Sequence, residues 1–205
     1  MKIIDLSHRI DESTPLYPGD APLSLVRAKT FERDGCTAFC LRSGLHAGTH
    51  IDMPMHMVPD GRFACDFNPA LFIGEGLLLD VRGEDPVHMK PEYRSLPLEG
   101  KIVLLWTGFD KRFTNADYFI AYPTVEEDLA RFLLDGGVKM LGIDAPAPDK
   151  TPFPVHKLLL GNGVFILENA VNLQSLQGVE RFTVAALPLK IAAEASLARA
   201  VAMVM

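Results

Sequence analysis

Gly76-Leu77-Leu78-Leu79-Asp80-Val81 and Lys101-Ile102-Val103-Leu104-Leu105-Trp106 are two nearly unbroken apolar runs in the middle of the chain. Runs of this kind are typical of strands that are buried on both faces, although periodicity alone does not separate them from a buried helix. We therefore predict that both runs are strands of a sheet that is covered on both sides.

Other strand-like segments surround these runs. They are Lys2–Leu6, Leu23–Val26, Thr37–Leu41, Val138–Ile143, Gly163–Leu167, Phe182–Leu187 and, as a candidate last strand, Ala198–Val204. The clearest helix begins after Thr124, which forms a capping-box pattern with Glu127, and Gly136-Gly137 ends it. Strands outnumber helices, which predicts an α/β or α+β domain with a mixed sheet and few helices.

Composition narrows the class of protein. The chain has 205 residues, 48% hydrophobic and 22% charged, which predicts a globular domain over residues 1–205. The net charge of −6 and the lack of a basic stripe argue against a nucleic-acid partner. No apolar run reaches the roughly 18 residues of a membrane span, and the first residues do not resemble a secretory signal. Cys36, Cys40 and Cys65 form no paired motif, so we expect free thiols and a cytoplasmic location.

The stretch His46-Ala47-Gly48-Thr49-His50-Ile51-Asp52-Met53-Pro54-Met55-His56 carries the chemistry. Its even positions are His, Gly, His, Asp, Pro and His, whereas its odd positions are mostly apolar, so ligand-type side chains share one parity. A straight strand from the first to the last histidine would span about 33 Å, which is far too long for one metal site. We therefore predict a curved extended segment or loop that bends at Gly48 and Pro54.

Histidine and carboxylate ligands favour zinc, manganese and related ions, and such sites leave room for water. Ordinary hydrogen bonding among these side chains is the alternative interpretation. A second candidate pair, His156 and Glu168, lies far downstream on either side of Gly161-Asn162-Gly163, a turn that could fold the chain back. Taken alone, this pair is weak evidence for a metal site.

The eleven-residue stretch resembles the His-x-Gly-Thr-His-x-Asp-x-Pro-x-His motif of the cyclase family, which includes bacterial arylformamidases and isatin hydrolases. The segments Asp5–His8, Thr14–Asp20, Gly142–Pro146 and Leu187–Lys190 are similar to other parts of that family. The resemblance implies a swivelling β/β/α domain with a mixed β-sheet, a barrel-like core and few helices, assembled as a homodimer or homotetramer.

The same resemblance implies a site with two divalent metal ions, zinc or alternatively manganese. His46, His50 and Asp52 would hold the first ion, and Asp52, His156 and Glu168 the second, with Asp52 and also Glu168 in contact with both ions. His56 would transfer a proton. Independently of the resemblance, the position of Asp144 at a strand end before Ala145-Pro146 predicts that it either orients a ligand histidine or caps a turn. Arylformamidases carry tryptophan where this chain has Tyr17, which we expect to line the substrate pocket.

The predicted activity is metal-dependent hydrolysis of a small amide such as an aryl formamide. A cyclic amide of the isatin type, another cyclase-family reaction, and a metal-binding protein without turnover are the alternatives. In each enzymatic case the partner is a small-molecule substrate.

Overall fold

A computed structural model describes residues 1–59 and 61–205. In chain order, the strands and helices of these residues are β1 (Lys2–Asp5), β2 (Ser24–Lys29), α1 (Phe31–Asp34), β3 (Ala38–Arg42), β4 (His50–Asp52), β5 (Ile73–Asp80), β6 (Ile102–Trp106), α2 (Glu127–Asp135), β7 (Met140–Ile143), α3 (Pro154–Gly161), β8 (Phe165–Glu168), β9 (Phe182–Pro188) and β10 (Ala195–Val204). Short 3-10 turns join several of them.

Within the described residues, seven strands form a closed ring in the order β10, β4, β8, β7, β6, β5 and β9, and β9 pairs back with β10. The strands β5, β6, β7 and β8 run parallel to one another, and the other pairings in the ring are antiparallel. Strand β1 adds to β10, and β2 and β3 form a separate hairpin. The predicted α/β fold with a mixed, barrel-like sheet and few helices is confirmed.

The two apolar runs are strands buried on both faces. All five residues of β6 are buried, and the alternate side chains of this strand enter two different cores. Ile102, Leu104 and Trp106 belong to a core that receives side chains from every strand of the ring and therefore fills its interior. Val103 and Leu105 pack on the outside, in the core that α2 and α3 cover. Burial on both faces is why the run shows no alternation of polar and apolar residues.

The start of the main helix differs from the sequence prediction. Helix α2 begins at Glu127, its cap residue is Glu126, and no side chain caps it, so the capping box at Thr124 is wrong. The backbone N–H of Thr124 instead donates to Asp85, and the adjacent Val125 forms an isolated bridge with Val87. Tertiary pairing therefore holds this residue outside the helix. The helix ends at Asp135 before Gly136, as the two glycines predict.

Two helices lack a counterpart in the sequence prediction. Helix α1 is a single turn, and α3 follows directly after Pro152-Phe153. Proline at the first position of α3 is a normal start signal, because its missing N–H would have no partner there. No helix in the described part of the chain is both long and apolar enough to cross a membrane.

Candidate metal centre

The pairing of β4 with β8 brings one imidazole and two carboxylate side chains together. His50 lies directly opposite Glu168 in this antiparallel pair, and Asp52 is two residues along the same strand. Since residues two apart in a strand share a face, all three side chains lie on the outer face of the ring, while Ile51 points into the core. The Nε2 atom of His50 is 3.2 Å from a carboxylate oxygen of Glu168 and 3.5 Å from one of Asp52.

Bends on both sides of β4 bring in two more histidines. Gly48 has φ of 56°, a left-handed backbone conformation that favours glycine, and a Cβ there would have to displace the tip of the Ile10 side chain, 2.4 Å away. Beyond the strand, Pro54 begins a 3-10 turn that ends at His56. As a result, Nδ1 of His46 is 3.0 Å from Asp52, and the rings of His46 and His56 are 4.3 Å apart. The predicted bends at Gly48 and Pro54 are confirmed.

Helix α3 supplies the histidine from the distant part of the sequence. His156 lies in its first turn, and its Nε2 atom is 3.1 Å from Glu168 and 3.6 Å from Asp52. The chain then turns through Asn162 and Gly163 and returns as β8, which carries Glu168. The structure thus brings together all six residues that the sequence singled out as ligands or proton donor.

Asp149 holds His156 in place and was not found from the sequence. One oxygen of its carboxylate forms a short hydrogen bond with Nδ1 of His156, and the other accepts from the backbone N–H of Val155 at 2.6 Å. The carboxylate therefore caps the start of α3 and directs Nε2 of the imidazole toward Glu168. The only signal in the sequence was an acidic residue just ahead of a proline-initiated helix.

Asp144 does not orient a histidine; it caps a turn, which is the alternative role that the sequence analysis gave it. Its carboxylate accepts from the backbone N–H groups of Thr107 and Gly108 and from the Thr107 hydroxyl. It therefore fixes the loop that follows β6. His8 stacks on Phe113, with ring centroids 3.7 Å apart. It does not line the cavity that opens beside His46, His50 and Glu168.

Two buried carboxylates dominate the electrostatics of the cluster. Burial lowers the pKa of His50, but Glu168 and Asp52 outweigh this effect and raise it to about 9. For His46 and His156, burial again lowers the pKa, but their carboxylate partners outweigh it and the pKa of each is raised. The pKa of His56 is lowered, first by burial and then by the neighbouring histidines. The cluster is therefore a place where positive charge is favoured, whether it comes from protons or from a cation.

The unpaired atoms of the cluster fit a metal ion. Among the described residues, Nε2 of His50 and both carboxylate oxygens of Asp52 are buried without an aligned hydrogen-bond partner. Leaving such atoms unsatisfied costs about 1–3 kcal/mol each, so a ligand for them is expected. In the part of the chain that the structure describes, two sets of side chains have ligand atoms within 4.8 Å of one another: His46, Asp52 and His56, and His50, Asp52 and Glu168. Asp52 belongs to both sets, as a bridging carboxylate would.

A small cavity of about 180 Å³ opens beside these groups. Its polar end is the histidine and glutamate cluster, and its walls are largely apolar. The residues around it are Tyr17, Asp20, His46, His50, His56, Met57, Phe119, Pro146, Ala147, Phe153, His156, Glu168 and Asn169. Tyr17 meets Phe119 edge to face at 5.6 Å, and Phe153 meets His156 in the same way. Phe153 has φ of 60°, which is uncommon for an aromatic residue and marks a wall that the surrounding structure enforces.

The fold and the site together describe a closed mixed ring that carries a candidate His/carboxylate metal site on its outer face, next to an aromatic cavity. The Cyclase family model matches residues 4–150, and the chain belongs to this family. Kynurenine formamidase of Bacillus cereus is 31% identical over 173 residues, which cover 82% of this chain and 81% of that protein. The kynurenine formamidase of Bacillus cytotoxicus is 32% identical over 174 residues, with the same coverage.

Solved structures give the same relationship. Isatin hydrolase A from Labrenzia aggregata superposes with a TM-score of 0.86 at 26% identity, covering 99% of this chain and 93% of that one. A protein described as a potential metal-dependent hydrolase with cyclase activity gives a TM-score of 0.80 at 28% identity, covering 100% and 98%.

Proposed function

We propose that the chain is a metal-dependent amidohydrolase that cleaves a small amide of the aryl formamide type, a carbon–nitrogen bond other than a peptide bond. The observation that carries this proposal is the convergence of His46, His50, Asp52, His156 and Glu168 at one end of an aromatic-walled cavity. Relatives named kynurenine formamidase, at about 31% identity over most of both chains, support it.

The proposed cofactors are two divalent ions, zinc or alternatively manganese. His46, His50 and Asp52 would hold one ion, and Asp52, His156 and Glu168 the other, with Asp52 shared between them. A divalent ion in such a site lowers the pKa of a water ligand and polarises a carbonyl group. The buried atoms of His50 and Asp52 support this assignment, because they make no well-aligned hydrogen bond among the described residues although acidic and imidazole groups lie within 3.0–3.5 Å of them.

The remaining chemistry belongs to the protein side chains. In hydrolysis, water oxygen adds to the amide carbon, the water gives up a proton, the carbon–nitrogen bond breaks, and the departing nitrogen takes up a proton. His56 would accept the proton of the water in its neutral form, which its lowered pKa favours, and would then deliver that proton to the nitrogen, since it lines the cavity and lies beside His46. Asp149 keeps His156 in one orientation, while Tyr17, Phe119 and Phe153 position the organic part of the substrate and exclude water.

The volume of the cavity limits the substrate to a small molecule. About 180 Å³ is below the roughly 300–1,000 Å³ of pockets that take drug-sized ligands. Flat aromatic walls match a single aromatic ring, and Tyr17 supplies the aromatic surface at the position where the arylformamidases carry tryptophan.

A cyclic amide of the isatin type is the second candidate substrate, favoured by the likeness to isatin hydrolase A. A metal-binding protein without turnover is the alternative outside the enzymes. The deciding experiment measures bound metal by elemental analysis and then assays the zinc-loaded and manganese-loaded protein with formanilide, N-formylkynurenine and isatin. Cleavage of the formamides confirms the proposal, cleavage of isatin alone favours the second candidate, and metal without any turnover overturns both.

We also propose that residues 1–205 act as one domain and assemble into a homodimer or homotetramer. Support for assembly comes from the β2–β3 hairpin, which pairs with no other strand in the described chain. Its Val26, Phe39 and Leu41 side chains are about half exposed. An isolated two-stranded hairpin is at best marginally stable, so a second copy of the chain would be its natural support.

A cytoplasmic location is the remaining proposal. Cys36 and Cys40 are exposed free thiols, and exposed thiols persist best in a reducing compartment. Fractionation of cells with an antibody against the chain would test this location.

A further inference from the structure

Asn169 is a buried polar residue on the cavity wall that the proposed mechanism does not use. It is 3% exposed, lines the cavity and directly follows Glu168, a candidate metal ligand. Its φ of 54° lies in the left-handed region, which is uncommon for residues other than glycine. Neighbouring residues of a regular strand point to opposite faces, and the change of backbone direction at Asn169 ends this alternation. Both residues therefore line one cavity.

One hydrogen-bonding group of Asn169 is left free for a ligand. Its backbone N–H donates to the carbonyl of Ala145 at 3.0 Å, and its own carbonyl accepts from the Thr49 hydroxyl at 2.6 Å. The side-chain oxygen Oδ1 accepts from the Tyr118 hydroxyl at 2.8 Å. The side-chain nitrogen Nδ2 donates to no described residue, yet it is not one of the described buried atoms that lack a partner. Nδ2 is therefore accessible, and the accessible space beside this residue is the cavity.

Tyr118 fixes which end of the amide faces the cavity. Its ring is fully buried and packs against Phe109, Phe113 and Phe119 at centroid distances of 5.2–5.3 Å. Burial raises the pKa of the Tyr118 hydroxyl, which therefore stays protonated. Because this hydroxyl has no other hydrogen-bond partner among the described residues, the amide must offer it an oxygen, and the N–H2 group of the amide turns the other way.

We propose that Asn169 is a catalytic residue whose Nδ2 donates a hydrogen bond to the carbonyl oxygen of the scissile amide. This inference rests on the proposed amidohydrolase function. When the oxygen of water adds to the amide carbon, the electron pair of the carbonyl moves onto its oxygen, and the pair returns when the carbon–nitrogen bond breaks. The N–H donor stabilises the charge on that oxygen and transfers no proton. A donor that is already held rigid and buried is effective, because little reorganisation is needed as the charge develops.

The test combines a change of this residue with a change of one substrate atom. Asn169→Gly suits a φ of 54° and removes the amide, and kcat for formanilide on the metal-loaded protein should fall roughly 10²–10³-fold. Thioformanilide replaces the acceptor oxygen by sulfur, which accepts hydrogen bonds weakly. The ratio of kcat/KM for formanilide to that for thioformanilide should be roughly two- to tenfold smaller in the variant than in the native protein, because the hydrogen bond that distinguishes the two atoms is gone. A purely structural role would leave this ratio unchanged.

Asn172→Gly is the matched control. Asn172 also has a left-handed φ, 63°, but its Nδ2 donates to the carbonyl of Asp5 at 2.8 Å and it does not line the cavity. This variant should keep the native kcat and the native ratio, and elemental analysis should find the native metal content in it and in Asn169→Gly. Asn169→Asp is a second variant that keeps an oxygen for Tyr118 and lacks the N–H2 group. It should show the same smaller ratio, and it decides the matter if Asn169→Gly fails to fold.

The outcomes separate this inference from the proposed function. A native ratio or a native kcat in a folded, metal-loaded Asn169 variant overturns the role of Asn169 and leaves the amidohydrolase proposal standing. Loss of bound metal together with activity likewise overturns it, because Asn169 would then act through the metal-ligand cluster. If the native protein cleaves no aryl formamide at all, the proposed function fails, and this inference fails with it.

Discussion

Asp149 fixes the orientation of His156, one of the five candidate metal ligands. Its two oxygens contact the ring and the backbone of the first turn of α3, and His156 thereby presents Nε2 to Glu168 and Asp52. Carboxylates that hold a ligand histidine in this way fix its tautomer and raise its basicity.

Replacement of Asp149 by asparagine should weaken metal binding. The amide keeps the shape but loses the charge that stabilises the Nδ1–H of His156, so we expect the metal affinity to fall roughly 10–100-fold. Competition with a chromophoric chelator measures this change in the purified protein. Asp144→Asn is the matched control, because Asp144 contacts Thr107 and Gly108 rather than a histidine. Equal losses in both variants would show that Asp149 acts only through stability of the fold.

His56 is expected to act on the substrate rather than on the metal. His56→Ala should retain bound metal and lose on the order of 10²–10⁴ in kcat, the range typical of a general acid or base. Elemental analysis and steady-state kinetics on the same preparation separate the two effects. His56 also belongs to a set of possible ligand atoms with His46 and Asp52. Loss of metal in the variant would therefore reassign His56 as a ligand, and normal turnover would remove it from the mechanism.

At the scale of elements, the segment that follows β1 is held against the rest of the fold by His8, whose pKa is lowered. His8 stacks on Phe113, and its backbone N–H donates to the Thr49 hydroxyl in the bend before β4. Burial lowers the pKa of His8 to about 4 from its ordinary 6.5. Between these two values the unfolded chain binds a proton that the folded chain does not.

Stability should therefore fall as the pH drops from about 6.5 toward 4. After allowance for the partial exposure of His8, the free energy of unfolding should decrease by roughly 1–2 kcal/mol from this group between neutral pH and pH 5. Urea unfolding of the native protein and of His8→Gln at both pH values isolates the contribution, since the other titrating groups are common to both. Parallel pH dependence in the two proteins would contradict the prediction.

The bend at Gly48 and the turn at Pro54 were predictable as elements because glycine and proline restrict the backbone locally. The start of α2 was not, since the pairing of Val125 with Val87 and the contact of Thr124 with Asp85 override the local capping pattern. Helix α3 has no counterpart in the sequence prediction, which placed only the turn Gly161-Asn162-Gly163 in this region. Its buried side chains pack in the same core as Ile166 of β8, and this packing stabilises the helix.

At the scale of the whole molecule, the exposed hairpin predicts association. Phe39→Ser combined with Leu41→Ser should shift the protein toward monomer by removing apolar area from the proposed contact. Light scattering coupled to gel filtration measures the molar mass. Ile120→Ser, at another exposed apolar residue, is the control and should leave the mass unchanged. A monomeric native protein would rule out the homodimer and homotetramer.

Several features followed from the sequence by itself. The unbroken apolar runs indicated strands buried on both faces, and the single parity of His50 and Asp52 indicated that they share a face, because both depend only on the two-residue period of a strand. Composition excluded a basic nucleic-acid surface, and the resemblance of the eleven-residue motif identified the family.

Other features were decided only by the tertiary structure. The order of strands in the ring sets Glu168 opposite His50, and the docking of α3 brings His156 to Asp52. The hydrogen bonds of Asp149 with His156, and of Asp144 with Thr107 and Gly108, likewise depend on how the loops meet in the folded chain. No local pattern encodes such meetings, because they result from the packing of the whole chain around two shared cores.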